Sequence, residues 1–197
     1  MAYPTVSAPY GLVPVKMVSG TPYAGVTRQY TIASGYGTNI FTGDAVKLVT
    51  AGTVERDTAD AAMTPIGVFM GCTYTDPNSK QKLFSQYWPA STVASDAKAY
   101  VVDATDVLFK VAVVSSGTTI GDLADTDLGA NVAGVDNTGD TINGNSKIAI
   151  SDTSATTNTL PFRIVELVEE TKNSSGGYTE ALVKWNAGHL MDNTTGI

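Results

Sequence analysis

Most acid/base, nucleophilic and metal chemistry runs through histidine, cysteine and clustered carboxylates, and this chain has few of the first two. His189 is the single histidine and Cys72 the single cysteine. A catalytic triad or a His-ligated metal site would have to use His189, in NAGHLMD (186–192), and no GxSxG, HExxH or second histidine accompanies it. A structural hydrogen bond, to a backbone or to a neighbouring chain, is the role expected of it. Cys72 has no partner for an intramolecular disulfide and lies in an apolar run, so it reads as a small buried hydrophobe. Asp122, Asp125, Asp127, Asp136, Asp140, Asn143 and Asn145 offer oxygen ligands to a hard cation, but the EF-hand spacing is absent and turn chemistry accounts for them. Glu166, Glu169, Glu170 and Glu180 have the type of residue a glycosidase needs. Their place beside Ser-Ser-Gly-Gly (174–177) reads instead as a solvated hairpin rim. Gly35 and Gly37 lack the remainder of any phosphate loop. The expectation is a chain with no catalytic residue, no cofactor and no metal.

Composition bounds the partners. Lys and Arg number 12 against 19 Asp and Glu, a net charge of −7. Nucleic-acid affinity comes largely from cations that neutralise phosphates, so a DNA or RNA partner is not expected. The start, MAYPTVSAPY, shows neither the basic nor the apolar region of a secretory signal, and no apolar run approaches the roughly 20 residues of a membrane span. A protein made in a cytoplasm, with no membrane partner, is the expectation. Charged residues make up only 16%. Thr, Ser, Asn and Gly fill the space, which favours short strands joined by turns over helices.

The elements follow from that chemistry. Pro4, Pro9 and Pro14 recur among Tyr3, Tyr10, Val13 and Val15, and each proline favours extended backbone. Residues 1–20 are expected to form an extended arm with aromatic anchors, and 21–197 a β body. Within the body, VTRQYTIA (26–33) alternates, and DAVKLV (44–49) with TVER (53–56) reads as a hairpin over Ala51-Gly52. PIGVFMGCTY (65–74) is the strongest strand, with Gly67 and Gly71 marking a bulge or a close backbone approach. LFKVAVV (108–114), SKIAIS (146–151), LPFRIVELVEE (160–170) and YTEALVKW (178–185) are further strands. In the last, Ala181, Val183 and Trp185 share one face. Residues 77–88 fit either a short helix, with Leu83/Tyr87 and Phe84/Trp88 as i,i+4 pairs, or a strand ending at Pro89. Residues 115–159, rich in Gly, Asp, Asn and Thr, are expected to be a mobile, loop-rich insertion with few apolar anchors.

The order of GDAVKL (43–48), IGVFMGCTY (66–74) with YWPA (87–90), AYVVD (99–103), LFKV (108–111), DLGAN (127–131) and VKWNAGHLMDNTTGI (183–197) resembles capsid decoration (cement) proteins of tailed bacteriophages. The resemblance implies an all-β fold, a compact β-barrel or tulip-like sandwich, commonly as a homotrimer. It implies a non-enzymatic virion protein on the outer surface of the head. Its partner there would be the major capsid protein, between capsomers of an expanded shell. The candidate contact residues are Tyr3, Pro4, Pro9, Tyr10 and Pro14 of the arm, Tyr87 and Trp88 of the body, and His189 near the C-terminus. A competing anchor is the C-terminal MDNTTGI (191–197). Alternatives in other classes are a tail or head-fibre component, and a carbohydrate-binding β module using Tyr74, Tyr87 and Trp88.

Overall fold

The computed structural model describes residues 9–172, 179–188 and 190. Its strands are β1 (Val13–Met17), β2 (Arg28–Thr31), β3 (Ala45–Leu48), β4 (Val54–Arg56), β5 (Gly67–Thr75), β6 (Lys82–Ser85), β7 (Lys98–Val102), β8 (Val107–Ser116), β9 (Thr119–Ile120), β10 (Asn131–Val135), β11 (Ala149–Ala155), β12 (Phe162–Leu167) and β13 (Glu180–Trp185). Two single 3-10 turns, Asp60–Ala62 and Asp125–Asp127, are the helical elements among the described residues. The fold is all-β, two sheets packed as a sandwich.

One sheet holds β2, β7, β5, β3 and β4, with β6 added beside β5; the other holds β1 and β8 to β13. In the latter, β8 pairs with β11 and with β13, and β11, β10, β12 and β13 pair in turn, so the pairings return to β8. The chain builds the first sheet from residues 28–102 and the second largely from residues 107–185. β1 is the exception, a strand from the N-terminus paired antiparallel with β8 through Val13↔Lys110 and Met17↔Val107.

Each sheet carries its own core. Phe109, Val111, Phe162, Val183 and Trp185 lie at the centre of one, with Trp185 stacked on Phe162 at 4.7 Å. Leu12, Ala45, Val68 and Val102 join it from outside that ring of strands and so fix the two sheets together. Ile40, Val46, Phe69, Cys72, Trp88 and Val101 form the other core. The expected face of the last strand, Ala181, Val183 and Trp185, is the one that enters the core.

Both glycines of the strongest strand do what their positions suggest. A Cβ on Gly67 would sit 2.2 Å from the Val102 carbonyl oxygen, so β5 and β7 touch backbone to backbone there. Gly71 has φ +127° within the register shift between Phe69 and Cys72, a conformation that L side chains rarely adopt. Gly67→Ala is expected to cost about 3 kcal/mol, the upper end of ordinary overpacking, because its obstacle is backbone and not a side chain that can turn aside. Urea denaturation reads this directly, and an unchanged midpoint would mean the strands part freely.

Three expectations need correction. Residues 13–17 are not part of a detached arm; the extended geometry is present, but it is spent on pairing with β8, and Leu12 beside it is 1% exposed. Residues 115–159 are not an insertion, since β10 and β11 are central strands and Leu123, Val132, Ile148 and Ile150 are buried in the core, while Ile120, Leu128 and Ile142 are exposed. The 77–88 segment is neither the helix nor a strand running to Pro89: Asp76 accepts the Ser79 N–H at 2.7 Å in a turn, β6 covers only Lys82–Ser85 and pairs with β5, and Trp88 makes an isolated bridge to Ile40.

A buried ionic cluster ties the sheets together. Asp44 is 1% exposed and accepts the Phe41 N–H at 2.8 Å and the Ser146 hydroxyl at 2.5 Å. Arg56 Nε lies 3.1 Å from Asp44 Oδ2, a charge contact whose N–H points off the line between them. Its Nη2 donates to Asp136 at 2.5 Å and to the Asn137 carbonyl at 2.7 Å. Asp44 directly precedes β3 and Arg56 ends β4 of one sheet; Asp136 and Ser146 flank β10 and β11 of the other.

Candidate interaction surface

The N-terminal segment enters the described structure at Pro9, which is buried. The Tyr10 hydroxyl donates to Glu180 Oε1 in a short hydrogen bond. Lys110 Nζ lies 3.3 Å from the same oxygen and 5.4 Å from the Tyr10 ring centroid, so one cation serves both carboxylate and ring. Gly11 follows with φ +87°, where a Cβ would come within 2.7 Å of the Ser146 side chain. Only glycine lets the chain turn this close to the body. Leu12 then enters the core, its N–H bonded to the Gly43 carbonyl at 3.0 Å, and β1 begins. A cleft of about 230 Å³ opens beside this root, lined by Tyr10, Val13, Pro14, Thr42 and Met70.

The candidate contact residues thus divide. Pro9, Tyr10 and Pro14 come together at the root, with the tyrosine hydroxyl used within its own chain. Tyr3, Pro4, His189 and the 191–197 segment lie outside the described residues. Trp88 is a core residue and not a contact residue: it is 0% exposed, packs edge-on against Tyr74 at 5.4 Å, and pairs its backbone with Ile40. Tyr87 stacks on Phe41 at 5.6 Å. The aromatic face for a glycan expected from Tyr74, Tyr87 and Trp88 is therefore largely interior. Among the described residues the exposed aromatic is Phe84, at 68%, with its ring 5.7 Å from that of Tyr100.

Glu180 is also corrected, from a solvated rim to a 5% exposed group that anchors the root. The available signal was Leu182, in phase with Glu180 and Lys184. An apolar residue on that outer face implies that the face is covered, and Leu182 is 6% exposed, with Tyr10 bonded to Glu180 beside it. The other carboxylates are dispersed. Glu166 pairs with Lys16 at 2.6 Å and Glu169 with Lys172 at 3.5 Å. Asp125 pairs with Lys172, Asp122 accepts from Thr179, and Asp127 accepts the Ala124 N–H at 2.8 Å. Asp140 and Asn143 accept backbone N–H groups of their own turn at 2.9 Å. Among the described residues, no group of three or more His, Cys, Asp or Glu side chains is placed to hold a metal ion.

Two further reactive groups have strongly shifted protonation equilibria. Burial pushes the Cys72 thiol up to about 12, so it stays protonated at neutral pH, and its sulfur lies 3.6 Å from the Tyr87 carbonyl. Asp96 is held at about 2 by the Thr75 N–H and hydroxyl, at 3.0 and 2.8 Å, which keeps it ionised. What the described surface offers is a fixed point of departure for the N-terminal segment and exposed apolar residues on strands. No protein-family model, curated protein or solved structure matches this chain.

Proposed function

We propose that this chain is a non-enzymatic capsid decoration (cement) protein of a tailed bacteriophage. It binds the major capsid protein on the outer surface of the head, between capsomers, and stabilises the shell against the pressure of packaged DNA. The observation that carries this reading is the root of the N-terminal segment. A cement must transmit tension between what it grips and its own body. Tension on residues 1–8 would load the Tyr10–Glu180–Lys110 cluster, then the buried Leu12, then the β1–β8 ladder along its length. Extracting a leucine side chain alone costs about 1.5–3 kcal/mol, so the grip fails before the body does unless it is stronger than that. Prolines upstream lower the entropy lost on docking, and tyrosine supplies rigid contact area. The net charge of −7 suits an exterior position at high copy number and disfavours contact with DNA.

One short segment buries less than the ~1,200 Å² of a stable interface, but three in a homotrimer gain avidity of about 10²–10⁴-fold. The test is co-sedimentation with undecorated, expanded heads of the phage that encodes the chain. Saturable binding at a fixed ratio to the capsid protein is expected. Deleting residues 2–8 should weaken it by roughly 10²-fold, the low end of that avidity. Deletion of 2–18 is unsuitable, because it also removes Leu12 and β1. If deleting 191–197 weakens binding and deleting 2–8 does not, the anchor is the C-terminus. If the intact chain does not bind competent heads, the cement reading is wrong.

A further inference from the structure

We infer that copies of this chain join head to tail, the cation pair Arg163 and Lys184 of one copy meeting the carboxylates Glu169 and Glu170 of the next. This rests on the homotrimer of the reading above and deepens it by naming the surface that joins the copies.

Like charges placed directly opposite each other destabilise a strand pair, and opposite charges support it. The β3–β4 hairpin follows that rule with Lys47↔Glu55. Among the described registers, Arg163↔Lys184 of β12 and β13 is the one place where two like charges face each other. Asn131 accepts the Arg163 Nε–H at 3.0 Å, which holds the guanidinium in place. Neither Arg163 nor Lys184 has a carboxylate partner among the described residues. The neighbouring cations are neutralised within the chain, Lys16 by Glu166 at 2.6 Å and Lys110 by Glu180 at 3.3 Å. Two positive charges are thus left unmatched on a protein of net charge −7.

The complementary charge lies beyond the other end of β12. Six residues after Arg163, about 20 Å along an extended strand, the chain turns through Glu169 and Glu170, both exposed. Lys172 is shared there by Asp125 and by Glu169 at 3.5 Å, and Glu170 has no cation partner among the described residues. Three carboxylates against one cation leave two negative charges unmatched. Between the two ends lie exposed apolar groups. Val165 is 38% exposed, and Leu128 is 46% exposed beside Gly129, whose N–H bonds the Ile164 carbonyl at 3.0 Å.

The cationic and anionic excesses match in size and sit at opposite ends of one strand, so they cannot satisfy each other within a protomer. A second copy supplies what each lacks. A three-fold assembly requires this heterologous arrangement, in which one patch meets a different patch on the next copy. Exposed ion pairs are individually weak. Their part is to choose which surfaces meet and in what orientation, while Val165 and Leu128 supply apolar area between them.

Sedimentation of the free protein and of three variants tests the contact. Arg163→Glu with Lys184→Glu reverses one patch, and Glu169→Lys with Glu170→Lys reverses the other. All four together restore both the complementarity and the net charge of −7. The glutamate pair alters only exposed side chains, so it reads the contact even where loss of the Asn131 bond loosens the other variant. The intact chain should sediment as a trimer at about 0.1 M salt and move toward monomer at about 1 M, where screening is nearly complete. Each single reversal should weaken association roughly tenfold or more, since it sets like charges against each other, and the fourfold variant should recover it. A trimer indifferent to both reversals would overturn this contact and leave the homotrimer standing. A charge-dependent dimer would mean that two β12 strands lie antiparallel across a two-fold axis, and the head-to-tail assignment would be wrong. A monomer under all conditions would remove the homotrimer and this contact together. Binding to heads is read separately, so failure of the cement reading would show as loss of co-sedimentation with the trimer intact.

Discussion

Arg56→Met should destabilise the protein by about 3–5 kcal/mol, the cost of removing one member of a buried ion pair and leaving the other uncompensated. The Arg56 side chain is 8% exposed, and it faces Asp44 at 1% and Asp136 at 21%. Asp136 can turn toward water when the guanidinium is lost; Asp44 cannot. Burial already raises the Asp44 carboxyl to about 6, against the lowering effect of Arg56 and of the Phe41 and Ser146 hydrogen bonds. Because the folded state holds this proton more tightly than the unfolded one, the group favours folding below the unfolded value near 4. That contribution is lost as pH rises through about 6. Without Arg56 the Asp44 value rises further. The deficit of Arg56→Met should therefore be largest near pH 8 and shrink on acidification toward pH 5. Urea denaturation at the two pH values measures it. Adding Asp44→Asn should recover part of the loss, since the amide keeps an acceptor for the Phe41 N–H and carries no charge. An equal deficit at both pH values, with no recovery in the double variant, would assign the cluster no electrostatic role.

Such a cluster shows where sequence reading reaches its limit. Alternation and turn chemistry are local, and what they encode was legible: the β3–β4 hairpin over Ala51-Gly52, the two special glycines of β5, and the core face of β13. Asp44 and Asp136 are 92 residues apart in sequence and meet only through Arg56, so no window of sequence contains both. The same holds for β1, whose partner begins at Val107; its prolines announce extended backbone but say nothing of what it pairs with. Residues 115–159 look like a loop because Val132, Ile148 and Ile150 are sparse. Sparse anchors suffice when each one is placed in the centre of a sheet. In the candidate site, Tyr10 was legible as an aromatic on an extended segment. Its capture by Glu180 and Lys110 was not, because the three residues come from distant parts of the chain.

Trp88 turns that limit into an experiment. An aromatic beside a proline in a polar context reads equally well as a surface anchor and as a core residue, and the two roles differ in what a substitution changes. As a contact residue, Trp88→Ala would reduce affinity for heads and leave unfolding untouched. In the structure its ring is fully buried, edge-on to Tyr74, with Nε1 3.4 Å from the Tyr36 carbonyl, and its backbone bridges to Ile40. Truncation to alanine therefore opens a cavity in the core of the first sheet and should cost about 3–5 kcal/mol. The folded fraction should still bind heads as the intact chain does, since the N-terminal root stands on other contacts. Urea denaturation combined with co-sedimentation separates the outcomes. A stable variant with weakened binding would mean that Trp88 faces outward when the protein is bound, and that the core of this sheet is rearranged on docking.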